Sequence, residues 1–291
     1  MIDLRSNIWH DPFEQQTHHL WLENRDYWKI SNNGLIHENH TFGKLELFQR
    51  NEAEFEARYE NWCVQLMADT AKMKVLQRSE DRIPAFYMYE RIALPFLRLI
   101  RGCLLLHASC VDMEGKCVIF LAQTGVGKTS LAGALLKYPN NRLVAEDTLT
   151  LMPDSDTFNA LPGADYLAVR HELLDDLEGI ASIENMKIKR ILHLESGLCR
   201  KAPMPVAALM ILSSGDNEMP VQVGNKQEVL TSLLCQQMSF SSASAEFKRL
   251  QFKRMMDLIR KLPVFRIHVD LSCAGKMNEC VENLQKWRLH A

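Results

Sequence analysis

Gly125, Gly127, Lys128 and Thr129 stand together in the run Ala122-Gln123-Thr124-Gly125-Val126-Gly127-Lys128-Thr129-Ser130. Residues of these types at this spacing suit phosphate binding. The glycines let backbone amides curl around a polyphosphate without interference from a Cβ. Lys128 brings a cation to the terminal phosphates, and Thr129 offers a hydroxyl to a magnesium ion. Thr124, Val126 and Ser130 complete the expected nucleotide-binding set. The full pattern of such loops begins with glycine, and Ala122 holds that place. The exchange costs little unless this position needs a positive φ.

A nucleotide loop needs a carboxylate element as well. It holds the metal or positions the attacking group. Glu146-Asp147 closes the short strand pattern Arg142–Ala145, and an acidic pair at the C-terminal end of a strand lies on the ligand side of a sheet. Two adjacent carboxylates suit two jobs: one binds magnesium, the other accepts a proton from an incoming hydroxyl. Their order is open at this level. His107 interrupts the apolar run Leu104-Leu105-Leu106 and is either a satisfied core histidine or a partner that tunes the carboxylate base. The basic run Lys187-Ile188-Lys189-Arg190 reads as a solvated face or as a cationic lid, with Arg170 a weaker candidate for the same work. Lys248, Arg249, Lys253 and Arg254 belong to the solvent side of an amphipathic helix. His18, His19, His37 and His40 carry no metal-ligand spacing.

Strand, loop and helix must surround these residues in a set order. Val118-Ile119-Phe120-Leu121 reads as a buried strand entering the loop, and Leu131–Leu136 as the helix leaving it. Cys103–Asp112 and Lys116–Ala122 flank Met113-Glu114-Gly115 as a hairpin. Thr148–Met152 is extended, Asp154–Ala160 a polar loop, Val169–Asp176 a short helix, and Ile180–Arg190 a mobile segment. Pro205–Leu212, Val221–Val223 and Pro263–Val269 read as strands. Gln227–Met238, Ala243–Arg260 and Lys276–Trp287 read as helices. Residues 1–100 form a separate, smaller α+β portion: Asn32-Asn33-Gly34 is a hairpin turn, Lys44–Phe48 a strand, and 85–100 a helix despite Pro95. In Asn51–Met73 the Glu and Ala content favours helix, whereas Phe55–Tyr59 alternates like a strand.

The chain's 291 residues allow two domains, and 47% apolar with 24% charged residues marks an ordinary globular composition. A formal net charge of −2 gives no basic excess for nucleic acid or an anionic membrane. No apolar run reaches signal-peptide or bilayer-spanning form. The eight cysteines include no C-x-x-C pair. They read as small buried hydrophobes and free thiols of a reducing cytoplasm.

Leu106-His107-Ala108-Ser109, the loop Gly125–Thr129, and Leu143-Val144-Ala145-Glu146-Asp147 follow one another in an order that resembles the catalytic domain of HPr kinase/phosphorylase. The likeness is greater to the stand-alone serine kinases related to it, and extends loosely over residues 95–285. It implies an α/β fold of the PEP carboxykinase/HPr-kinase type: a P-loop nucleotide-binding domain with a mixed sheet over 101–291, preceded by a smaller α+β domain that recognises substrate. It implies ATP and Mg2+ as cofactors, with His107, Lys128, Glu146 and Asp147 catalytic and Thr129 and Asp147 on the metal. The implied activity is phosphorylation of a serine on a protein or peptide by a cytoplasmic enzyme, with self-association as in the hexameric HPr kinases and no nucleic-acid or membrane partner. The family's acidic pair is usually Asp-Asp, so Glu146 is longer by one methylene. The arginine- and glycine-rich signature linked to HPr and to phosphorolysis is replaced by Pro162–Arg170, which argues against both. A small-molecule kinase acting on free serine, and a nucleotide-binding regulatory module without transfer activity, are the alternatives.

Overall fold

A computed structural model describes residues 8–11, 16–24, 35–39, 45–49, 54–59, 62–67, 72–77, 94–100, 102–169, 177, 179–185, 190–238, 245–270 and 272–290. The chain divides into two units, Met1–Cys103 with Ser239–Leu250, and Leu104–Met238 with Gln251–Ala291.

In the first unit seven strands form one sheet: β1 (Ile8–Asp11), β2 (Gln16–Asn24), β3 (Leu35–Asn39), β4 (Leu45–Gln49), β5 (Glu54–Tyr59), β6 (Trp62–Met67) and β7 (Lys72–Gln77). Their order is β1-β2-β7-β6-β5-β4-β3. β2 and β7 are parallel, and the other pairs are antiparallel. The strand expected from Lys44 to Phe48 is β4. The helical reading of Asn51–Met73 is corrected to strand pairing. The alternation at Phe55–Tyr59 was the better signal, because ladder partners on both sides override the modest helix preference of Glu and Ala. Helix α1 (Leu94–Ile100) carries Pro95 in its first turn, where a missing N–H costs nothing. The hairpin turn at Asn32–Gly34 and the helix start at 85–93 lie outside the described residues.

The second unit is a mixed α/β layer structure. Its main sheet contains β8 (Leu104–Leu106), β9 (Ser109–Met113), β10 (Lys116–Leu121), β11 (Asn141–Ala145), β12 (Leu149–Pro153), β13 (Phe158–Leu161), β17 (Met204–Ser214), β18 (Val221–Gln222) and β19 (Val264–Val269). The path is β11-β9-β10-β17-β13-β12-β8, with β19 on β17 and β18 on β19. β10, β17 and β19 run parallel. β9 is antiparallel to both β10 and β11, so β11 points the same way as β10. The C-terminal ends of β11, β10, β17 and β19 therefore share one edge of the sheet. A second sheet, β14 (Tyr166–Val169), β16 (Arg190–Leu194) and β15 (Ile180–Asn185), is antiparallel in the order β14-β16-β15.

The sheet sorts its side chains by strand alternation. Val118, Phe120 and Met210 face one core with Leu131 and Leu135 of α2 (Lys128–Leu136), Leu167 and Leu192 of the small sheet, and Val281 and Leu284 of α5 (Ala274–His290). Ile119, Leu121 and Leu209 face the other core with Val229 and Leu233 of α3 (Lys226–Gln236) and Met255 and Leu258 of α4 (Ala245–Lys261). α2 is covered on nearly every side, which explains a helix apolar all round.

Several sequence expectations are corrected here. Cys103–Asp112 is two strands, because His107-Ala108 breaks the run between β8 and β9. Phe158–Leu161 pairs with β12 and β17 instead of remaining loop. Val169 ends a strand, and 170–176 lie outside the described residues. Ile180–Asn185 is a paired strand whose apolar partners lie in β16; of the basic run, Lys187–Lys189 lie outside the described residues and Arg190 starts β16. No described helix is long and apolar enough to cross a membrane.

Candidate phosphate-loop site

The loop leaves β10 at Leu121 and enters α2 at Lys128. Gly125 and Gly127 have φ of 93° and 109°, a region that residues with a Cβ rarely occupy. A Cβ built on Gly125 meets nothing within 4 Å, so the outer side of the loop is open. Gly127 is the N-cap of α2 and no side chain caps this helix end. The dipole of a helix favours negative charge at such an N-terminus. Ala122 is not among the described residues with positive φ and is 4% exposed, its Cβ packed into the α2 core. The exchange of the first glycine is therefore free of backbone strain.

Lys128 is 7% exposed, and its Nζ donates to the carbonyl of Ala122 at 2.7 Å. The ammonium thus closes the loop from within. Thr129 donates through Oγ1 to Glu146 Oε1 at 2.5 Å, and Glu146 is 2% exposed. Asp147 Oδ1 lies 2.9 Å from His107 Nε2, and both side chains are partly exposed.

The adjacent carboxylates diverge because the chain turns sharply between them. Thr148 N donates to Glu146 O at 2.7 Å, and Asp147, at the centre of this three-residue turn, has a φ of 64°. A γ-turn with positive φ is rare and strained, and such strain concentrates at functional positions. Aspartate tolerates it better than most residues.

His107 is held by its main chain. Its N–H donates to Gln236 O at 2.7 Å, and Met238 N donates to Leu105 O at 3.0 Å. β8 is thus bracketed by β12 on one side and the end of α3 on the other. Sequence reasoning missed Gln236, since a backbone acceptor leaves no side-chain signature.

The residues expected at the site therefore come together. Loop residues Thr124–Ser130 run into the N-terminus of α2, the Lys128 ammonium meets the Ala122 carbonyl, Glu146 meets Thr129, and Asp147 meets His107. The metal ligands expected were Thr129 and Asp147, whereas the carboxylate that accepts from Thr129 is Glu146. Two hard oxygens in contact at the loop mouth fit magnesium, which is usually held by one or two protein oxygens and substrate phosphates. Among the described residues no group of three or more His, Cys, Asp or Glu could hold a metal ion on its own.

No family model matches the chain. No curated protein matches it. Among solved structures the chain is similar to the Hpr(Ser) kinase/phosphatase from Coxiella burnetii, with a TM-score of 0.37 and 11% identity, over 64% of this chain and 99% of that one.

Proposed function

We propose that this chain is an ATP-dependent, magnesium-assisted kinase that transfers the γ-phosphoryl group to a serine hydroxyl of a protein or peptide. The observation that carries the reading is the divergence of two neighbouring carboxylates, Glu146 toward Thr129 and Asp147 toward His107. A loop that only bound nucleotide has no use for the second pair. The serine-bearing acceptor rests on the ordered likeness of the three motifs.

In this reading the first-turn amides of α2 and the Gly125–Gly127 turn bind the phosphates. Lys128 exchanges the Ala122 carbonyl for a phosphate oxygen. Thr129 and Glu146 would hold the magnesium. Bound there, the ion supplies charge neutralisation on the phosphate oxygens. Asp147 Oδ1 accepts the proton of the acceptor hydroxyl, and His107 Nε2 orients that carboxylate. The serine Oγ–P bond forms as the bond from the γ-phosphorus to the β–γ bridging oxygen breaks, and ADP leaves. Rate enhancement comes from positioning and electrostatics, with no covalent enzyme intermediate.

The test is transfer of label from [γ-32P]ATP to a serine-containing peptide library, with free serine in a parallel reaction. Labelled peptide serine is expected with the wild-type chain and none with Lys128→Ala. Full transfer by Lys128→Ala would overturn the site, and label on free serine alone would move the acceptor to the small-molecule class.

A further inference from the structure

We propose that the nucleoside of the phosphoryl donor sits in a cleft between β18, β19 and the start of α3. This rests on the phosphate-loop reading above and extends it to the rest of the nucleotide. The cleft has a volume of about 330 Å3, and its lining includes Glu218, Val221, Val223, Glu228, Arg266 and His268. That is the size of a small-molecule site.

Strand order sets the direction. Along the shared edge the strands run β11, β9, β10, β17, β19. The loop leaves the middle strand. Glu146 and Asp147 follow β11, two strands to one side, so the terminal phosphate points that way. The nucleoside then leaves toward the other side, where β19 also lies two strands off. At the usual strand spacing this is roughly 10 Å, on the order of a triphosphate chain. The register is level across the gap: Leu121 pairs with Ile211, and Ile211 with Arg266. Only small residues, Ser213, Ser214 and Gly215, stand at the end of β17 between them.

The chemistry of the cleft favours a nucleoside over a phosphate. The first amides of α3 are already taken, since Asn225 Oδ1 accepts from Gln227 N at 3.0 Å and from Glu228 N at 3.4 Å. Glu218 and Glu228 repel an anion but accept hydrogen bonds from ribose hydroxyls or a base amino group. Glu228 also pairs with Arg266. Guanidinium and imidazole planes stack on flat rings. The His268 ring is fixed for that purpose: its Nδ1 lies 3.1 Å from Ser213 Oγ, and a Cβ added at Gly215 would stand 3.1 Å from the same atom. Val221 is 64% exposed, an apolar wall that a bound base covers.

Equilibrium binding of ATP and of inorganic tripolyphosphate to the full chain separates the two readings. Tripolyphosphate probes the loop alone. Arg266→Ala and His268→Ala are expected to weaken ATP binding at least tenfold and leave tripolyphosphate binding unchanged, with thermal unfolding as the check on folding. ATP affinity equal to wild type in both folded variants overturns the nucleoside site and leaves the loop reading standing. A wild-type chain that binds neither ligand overturns the loop reading itself. Photolabelling of the wild-type chain with 8-azido-ATP needs no variant: label within 218–228 or 264–270 is expected, and label confined to other segments overturns the proposal.

Discussion

Asp147 Oδ1 stands 2.9 Å from His107 Nε2, although the two residues are 40 positions apart in the chain. Two backbone registers set this distance. Leu106 pairs with Leu149 across β8 and β12, while the His107 amide is tied to the Gln236 carbonyl. The histidine is thus carried by a short strand clamped on both sides, and the aspartate by a strained turn beside it. A pair positioned by main-chain hydrogen bonds is preorganised, which suits a group that must meet an acceptor hydroxyl in one geometry.

The pair gives a prediction that separates chemistry from folding. Asp147→Asn keeps a residue that tolerates positive φ, but removes the proton acceptor. Phosphoryl transfer is expected to fall by about 10²–10⁴-fold, with nucleotide affinity and unfolding midpoint near wild type. Asp147→Ala is expected to lose the same activity and to be less stable by about 1 kcal/mol, because alanine is strained at this turn. The check is single-turnover transfer beside chemical denaturation; an active Asp147→Asn chain would remove Asp147 from the proton-transfer step.

Glu146 calls for a different measurement. Its Oε1 accepts from Thr129, and the proposed role lies with magnesium. Glu146→Gln preserves shape and removes charge, so the magnesium needed for half-maximal transfer should rise by about 10- to 100-fold. Glu146→Asp withdraws the carboxylate by one methylene from a 2.5 Å contact and should raise the requirement as well. An unchanged magnesium titration in both variants would place the metal elsewhere.

The candidate site was legible in residue types. Gly125, Gly127, Lys128, Thr129, Glu146 and Asp147 stand out because few residue types suit phosphate and metal chemistry, and flanking apolar runs marked the strand and helix around the loop. What the residues themselves did not disclose was the divergence of the two carboxylates, Glu146 toward Thr129 and Asp147 toward His107. It depends on the φ of Asp147 and on the hydrogen bond from Thr148 to Glu146, which leave no mark in residue types. The least legible parts were short strands such as β14 and β15. Val169 and Ile180–Asn185 owe their extended form to β16, a partner that comes later in the chain, and local patterning cannot report a ladder.

Ala122 offers a test of the loop's tolerance. Restoring the expected glycine removes a buried methyl group and adds backbone freedom to the unfolded chain. Ala122→Gly should destabilise the fold by about 1–2 kcal/mol without improving nucleotide affinity. Denaturant unfolding and ATP binding on the same preparation check both halves. A gain in affinity would mean that the alanine constrains the loop.

Burial also predicts how the thiols respond to pH. Among the described residues Cys235 and Cys273 are exposed, whereas Cys103, Cys110, Cys117, Cys199 and Cys280 are buried. Burial pushes the thiols of Cys199 and Cys280 up to about 12, and that of Cys110 well above its usual value. Unfolded thiols titrate near about 8.5, so above that pH the unfolded chain binds fewer protons than the folded one. The contribution of these thiols to stability is full below about pH 8.5 and falls as the pH rises toward 12, by about 1.4 kcal/mol per pH unit for each thiol. In a Cys63→Ser background, Ellman's reagent at pH 8 should label Cys235 and Cys273 promptly and the buried five only after unfolding. Unfolding free energy measured between pH 8 and 10 should fall less steeply in a Cys199→Ala, Cys280→Ala chain than in the wild type. Equal slopes would show that these two thiols ionise as freely in the fold as outside it.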